Sequence, residues 1–170
     1  MIKTRDALAA DIPKLQLLEQ QSETAGHWPP DSYAAIFRMD APRRLARIVD
    51  EDGQILGFLI ASCLPWQWEI ENIVVAADAR RRGLGSRLVG DLLERARDAG
   101  VKRVWLEVRE SNRGARSFYL KLGFMESGCR RNYYTEPTED AILYHLEVAS
   151  VPALSCNSMI TGVIEGLKPH

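Results

Sequence analysis

Two groups of residues in this 170-residue chain have types and spacing suited to chemistry. The first is the run Arg80-Arg81-Arg82-Gly83-Leu84-Gly85, followed by Ser86. Arginine forks are donors for phosphate oxygens, and glycines let a ligand come close to the backbone. Leu84, Leu88, Val89, Leu92, Leu93 and Ala96 form one apolar stripe, so the run opens an amphipathic helix. A helix start leaves backbone N–H groups without internal partners, and its dipole favours negative charge. The run therefore suits a polyphosphate. It is neither G-x-x-x-x-G-K-[ST] nor G-x-G-x-x-G, because no Lys-Ser or Lys-Thr follows Gly85 and Leu88 stands where a third glycine is needed. What remains is R-x-x-G-x-G.

The second group is Glu107 and Tyr119. In VKRVWLEV, Val104, Leu106 and Val108 share one face of a strand, and Trp105 and Glu107 share the other. A carboxylate near a strand end can accept a proton, or it can be a satisfied surface residue. Tyr119 lies on the next helix, with Ala115, Phe118 and Leu122. Its phenol can donate a proton. Of the two adjacent aromatics, Phe118 is the better core residue, since a buried Tyr hydroxyl needs a partner. Ser111 or Asn112 caps that helix.

These groups must be held by the elements around them. Strands are expected over Ile2–Arg5, Leu45–Val49, Ile55–Ala61, Gln67–Val75, Val101–Val108, from Phe124 through Tyr134, and over Ala141–Val148. Asp11-Ile12-Pro13 starts a helix to Gln21, and Asp31 or Ser32 caps a second short one. Two further helices follow the arginine run and Asn112, closing at Gly100 and Gly123. Asp50-Glu51-Asp52-Gly53 is a hairpin turn. The order βααβββαβαββ predicts an α/β (α+β) single domain: a mixed, mostly antiparallel sheet flanked by helices. The domain is expected to span 1–148. Residues 149–170 change composition and read as an appendage.

Composition sets outer limits. Net charge is -1, which gives no general attraction to nucleic acid or an anionic membrane. No apolar run is long enough to span a bilayer, and the N-terminus carries charges where a signal peptide needs an apolar core. Cys63, Cys129 and Cys156 show neither a disulfide framework nor metal-ligand spacing, and His27 and His145 stand alone. No metal is expected, and a reduced cytoplasmic setting fits best.

Taken in order, WEIENIVV, RRRGLGSRLV, WLEVRESN, FYLKLGF and RRNYY with a later EDAI resemble the bacterial ribosomal-protein-alanine N-acetyltransferases (RimI type) of the GNAT superfamily. The likeness covers roughly residues 1–148 and is strongest from Trp68 to Tyr144. It departs at Ala76-Ala77, where the family usually has an Asp-Pro turn, and this is expected to alter the approach to the phosphate loop.

The resemblance implies acetyl-CoA as cosubstrate and direct attack by an amine. It implies Glu107 as general base and Tyr119 as the acid for the departing thiolate. It also implies pantetheine bound along Ile73, Val74 and Val75 where the fourth strand splays from the fifth, with the Val74 or Val75 N–H facing the carbonyl oxygen. Arg80 to Ser86 would hold the pyrophosphate and Asn112 the cofactor arm. Trp28, Glu71, Tyr133 and Tyr134 would line a peptide groove; Trp28 can equally plug the core edge. The expected acceptor is a protein N-terminal amine, in particular the alanine N-terminus of a ribosomal protein. A lysine or small-molecule amine, or coenzyme A binding without catalysis, are the alternatives.

Overall fold

The computed structural model describes residues 1–22, 28–41 and 43–148. Seven strands form one sheet: β1 (Ile2–Asp6), β2 (Arg44–Glu51), β3 (Gln54–Cys63), β4 (Gln67–Val75), β5 (Arg103–Arg109), β6 (Met125–Thr135) and β7 (Thr138–Glu147). Their spatial order is β1-β2-β3-β4-β5-β7-β6. Every neighbouring pair is antiparallel except β4–β5, which is parallel. The four α-helices are α1 (Ile12–Gln20), α2 (Pro30–Ala35), α3 (Leu84–Asp98) and α4 (Arg113–Lys121). This is the expected element order and fold class.

The sheet separates two cores. On one side, the stripe of α3 packs with Val104, Leu106, Val108 and Tyr119. Leu88 and Leu92 are fully buried there, and truncating either to Ala costs ~2–5 kcal/mol. On the other side, Leu15 of α1 and Tyr33 of α2 cover Ile48, Phe58, Ile60 and Val74.

Several boundaries differ from the sequence reading, each for a local reason. Pro30 is the first residue of α2, ahead of the expected Asp31 or Ser32 cap; proline suits a position whose N–H has no helical partner. Asp11 does not cap α1 with its side chain. Its carboxylate instead accepts from the Arg5 fork at 2.8 and 3.1 Å and from the Leu8 N–H at 2.8 Å. β7 begins at Thr138 rather than Ala141, because Thr135 and Thr138 pair across a short turn at Glu136-Pro137. Residues 149–170 and His27 lie outside the described residues.

β4 carries the feature that shapes the centre of the molecule. Its register with β3 passes from Ala61↔Ile70 to Ile60↔Asn72 and skips Glu71. Such a bulge turns the following side chains to the other face. Trp68 and Ile70 accordingly join the α3 core, whereas Val74 joins the α1–α2 core. Gly57 of β3 faces this stretch, and a Cβ there would sit 2.7 Å from the Val74 carbonyl oxygen.

Candidate active site

β4 and β5 are paired only as far as Ile70↔Leu106. Beyond it, Ile73 to Val75 pair with β3 but not with β5, while Glu107 to Arg109 pair with β7. The two parallel strands part, and one edge of β4 is left open through the middle of the sheet. Backbone groups on an unpaired edge need partners, so Ile73, Val74 and Val75 stand ready to bind an extended amide-bearing ligand.

On the α3 side of the opening lies the arginine–glycine loop. A 3-10 turn at Ala77–Ala79, closed by Ala79 N–H to the Ala76 carbonyl at 3.0 Å, leads into it without the Asp-Pro pair. Arg81 and Gly83 both take the left-handed conformation, with φ of 64° and 75°. Gly83 is the residue before α3, and no side chain caps the helix there, which leaves first-turn N–H groups for an anion. Arg80, Arg81, Arg82 and Ser86 are exposed. The arginines are unequal: Arg80 donates to the Val75 carbonyl at 3.3 Å, and Arg82 is engaged by Glu51. Gly85 serves packing as well, since a Cβ there would lie 3.2 Å from the Phe118 ring. A cavity lined by Leu18, Gln21, Ser22, Val75, Ala76 and Arg80 joins this loop to the opening.

The opposite face holds a second cleft, and here the expected acceptor residues come together. Trp28, Glu71, Tyr133 and Tyr134 line it along with Glu107, Arg44 and Glu69. Arg44 grips Glu71 with both arms of its fork, at 2.6 and 3.1 Å, and its guanidinium stands 5.5 Å from the Trp28 ring centre. Arg130 meets Glu107 at 3.1 Å and lies 5.5 Å from the Tyr133 ring. A hydrogen bond to Glu107, then burial, holds the Tyr133 phenol above its ordinary range. Arg109 stacks 4.0 Å from the Tyr134 ring centre. Glu69 was not singled out from the sequence. Burial, followed by the charges of Glu107 and Glu71, pushes it up to about 7. Its strand alternation with Trp68 and Ile70 was the available signal, but alternation alone does not say which face meets a cleft.

Tyr119 is placed differently. It is buried in the α3 core, with the Phe118 and Phe124 rings 5.1 and 5.4 Å away. Burial raises its phenol well above the ordinary value. Phe118 is the more exposed of the pair, the reverse of the sequence expectation, because α4 turns its Tyr119 face to the sheet. Asn112 is the cap of α4, its side chain accepting from the Ala115 N–H at 3.0 Å. Glu107 and Tyr119 thus belong to opposite faces of the sheet, which communicate where β4 and β5 part. Among the described residues, no group of three or more His, Cys, Asp or Glu is arranged to hold a metal.

Residues 13–124 match the model of the acetyltransferase (GNAT) family. The chain is 35% identical over 130 residues to the [ribosomal protein bS18]-alanine N-acetyltransferase of Haemophilus influenzae, covering 76% of this chain and 86% of that protein. To the Escherichia coli K12 protein of the same name it is 34% identical over 141 residues, covering 82% and 93%. The crystal structure of the ribosomal-protein-S18-alanine N-acetyltransferase from Escherichia coli superposes with a TM-score of 0.80 at 32% identity, over 90% of this chain and 97% of that one. A GNAT family acetyltransferase from Elizabethkingia anophelis with acetyl-CoA bound shares the fold at a TM-score of 0.69 and 21% identity, over 86% and 97%. The parted parallel strands, the arginine–glycine helix start and these likenesses agree: the chain belongs to the acetyltransferase (GNAT) family, enzymes that transfer acetyl from acetyl-CoA.

Proposed function

We propose that this enzyme acetylates the N-terminal α-amine of a protein, with the alanine N-terminus of ribosomal protein bS18 as its acceptor. The observation that carries this is the pair of clefts on opposite faces, joined where β4 leaves β5. An arginine–glycine helix start lies on one side, and a cleft of carboxylates and aromatic rings on the other. The two relatives named for bS18-alanine acetylation, at 34–35% identity, support the choice of acceptor. The transferase domain is assigned to residues 1–148, working in the cytoplasm where ribosomal proteins are made.

Acetyl-CoA fits the first side. The unpaired edge at Ile73 to Val75 suits an amide-bearing arm, and the uncapped start of α3 suits a pyrophosphate. Arg80 and Arg81 add charge there, and Asn112 stands at the start of α4. The bound cosubstrate supplies an activated thioester. The protein's own groups do the rest. The amine must be neutral to attack, and Glu107 removes a proton from it. A free N–H of Val74 or Val75 stabilises the charge that builds on the carbonyl oxygen. Tyr119, approaching from the α3 face, gives its phenolic proton to the departing sulfur. Trp28, Tyr133 and Tyr134 hold the acceptor peptide, and the Arg44–Glu71 pair fixes one wall.

Mass-spectrometric detection of acetyl transfer to peptides differing only in their first residue tests this. The alanine-starting bS18 peptide is expected to be the best acceptor, modified on its α-amine. Preferential labelling of an internal lysine or a small amine would replace the acceptor assignment. Coenzyme A binding without turnover on any amine would remove the catalytic reading.

A further inference from the structure

The acceptor cleft holds three carboxylates, and two are already matched by arginines. Glu71 is gripped by the Arg44 fork, and Glu107 meets Arg130 at 3.1 Å. Glu69 lies beside both, half-buried, with no salt bridge to any described residue. Its register partner on β5 is Trp105, and the last pair, Ile70↔Leu106, follows directly. Glu69 and Glu107 therefore flank the point where the strands part, one on each.

The geometry points to Glu69 as the first proton acceptor of the reaction, acting on the acceptor's ammonium before Glu107 acts on the attacking nitrogen. This deepens the acetyl-transfer reading and rests on it. The proton count requires two acceptors or one used twice. An α-amine titrates near ~8, so at neutral pH it arrives mostly as R–NH3+. The amide product keeps a single N–H, so two protons leave the nitrogen. The first passes to a Glu69 carboxylate oxygen, and its N–H electron pair stays behind as the lone pair. The second passes to Glu107 as the new C–N bond forms. The C–S electrons leave with sulfur, which takes a proton from Tyr119. Once Tyr119 is reprotonated, one proton has gone to the thiol and one to solvent.

The surroundings of Glu69 suit the first step. Glu71 on its own strand and Glu107 on β5 are like charges, so taking up a proton relieves repulsion with both. Arg44 on β2 and Arg130 on β6 act in the opposite direction but are engaged by the other two carboxylates. Tyr133 on β6 directs its hydroxyl to Glu107. The balance leaves Glu69 at about 7. Accepting a proton from an amine near ~8 is then uphill by only about tenfold, against several thousandfold for a carboxylate at the ordinary ~4.3.

The test compares wild type, Glu69→Gln, Glu69→Asp and Glu107→Gln. In the free enzyme with 13C-labelled glutamate carboxyls, NMR titration is expected to show one carboxyl titrating near neutral pH, absent in Glu69→Gln. With the alanine-starting peptide, Glu69→Gln is expected to lose ~10²–10³ in kcat/KM at pH 6.5. That loss should shrink above pH ~8, where solution supplies the free amine. Glu69→Asp should recover part of the acid-side rate, whereas Glu107→Gln should be depressed at every pH. A Glu69→Gln profile parallel to wild type, with only KM raised, would overturn the inference. So would a near-neutral carboxyl that survives in Glu69→Gln. Wild-type inactivity on every peptide would instead overturn the acetyl-transfer reading, and the NMR result would stand apart from it.

Discussion

Arg82 donates through one guanidinium nitrogen to both carboxylate oxygens of Glu51, at 3.0 and 2.9 Å, tying the phosphate loop to the end of β2. The pair is partly exposed, so its contribution to stability is small and screened by salt. Its consequence is for ligand binding: one of the three loop arginines is shared with an acid. Arg82→Ala is expected to weaken coenzyme A severalfold. Glu51→Gln, which frees the guanidinium and removes a nearby negative charge, is expected to leave affinity unchanged or tighter. Calorimetry at two salt concentrations reads both. A loss in Glu51→Gln equal to that in Arg82→Ala would mean the pair shapes the loop rather than competing with the ligand.

Gly85 answers to two constraints. Its backbone lies in the first turn of α3, where an anion is favoured, and its missing Cβ makes room for the Phe118 ring 3.2 Å away. Gly85→Ala should cost a few degrees in Tm at most, because a ring edge can shift a few tenths of an ångström. Gly85→Glu adds bulk and negative charge and should abolish measurable coenzyme A binding. A folded Gly85→Glu protein with wild-type affinity would remove the helix start from the binding site.

The element order was legible because each boundary carries local punctuation: Asp52-Gly53, Gly83, Gly100 and Gly123, whose described φ values are all positive. The arginine–glycine loop was legible for the same reason. Two features were not. The bulge at Glu71 depends on the register between β3 and β4, a pairing that residue types do not encode locally. It decides that Val74 faces the α1–α2 core although it continues the Trp68, Ile70 alternation. The tying of Glu107 to Arg130 and of Glu71 to Arg44 spans 23 and 27 residues of sequence, so the odd carboxylate, Glu69, stands out only once the chain is folded.

Glu19 is the buried tie between the first helix and the acceptor cleft. One of its oxygens accepts from the Asn72 side chain at 2.6 Å and from the Trp28 N–H at 3.2 Å. Glu19→Ala leaves the Asn72 amide buried without that partner and releases Trp28 from its anchor. The expected cost is ~1–3 kcal/mol in unfolding free energy. KM for the peptide should rise while coenzyme A affinity changes little, because Trp28 lines the acceptor side. Denaturant titration and steady-state kinetics would check the two halves separately. A destabilised variant with unchanged peptide KM would show that Trp28 is a core plug and not part of the groove.

Tyr119 offers the sharpest separation of packing from chemistry. Its ring is wedged between Phe118 and Phe124 at 5.1 and 5.4 Å and is almost wholly buried. Tyr119→Phe keeps the ring and its contacts and deletes only the hydroxyl. Burial holds the phenol protonated far above neutral pH, so throughout the working range it is a donor and never a base. A thiolate is the stronger base in that setting, and the proton passes to it as the C–S bond opens. The expected result is a fall in kcat of ~10²–10⁴, the usual worth of a positioned acid, with coenzyme A affinity within twofold of wild type. Because the donor stays protonated, the deficit should be the same from pH 6 to pH 9, unlike the pH-dependent deficit expected of Glu69→Gln. Thermal unfolding of Tyr119→Phe should shift by only a few degrees. Wild-type kcat in the folded variant would make Tyr119 a core aromatic and leave protonation of the sulfur to water.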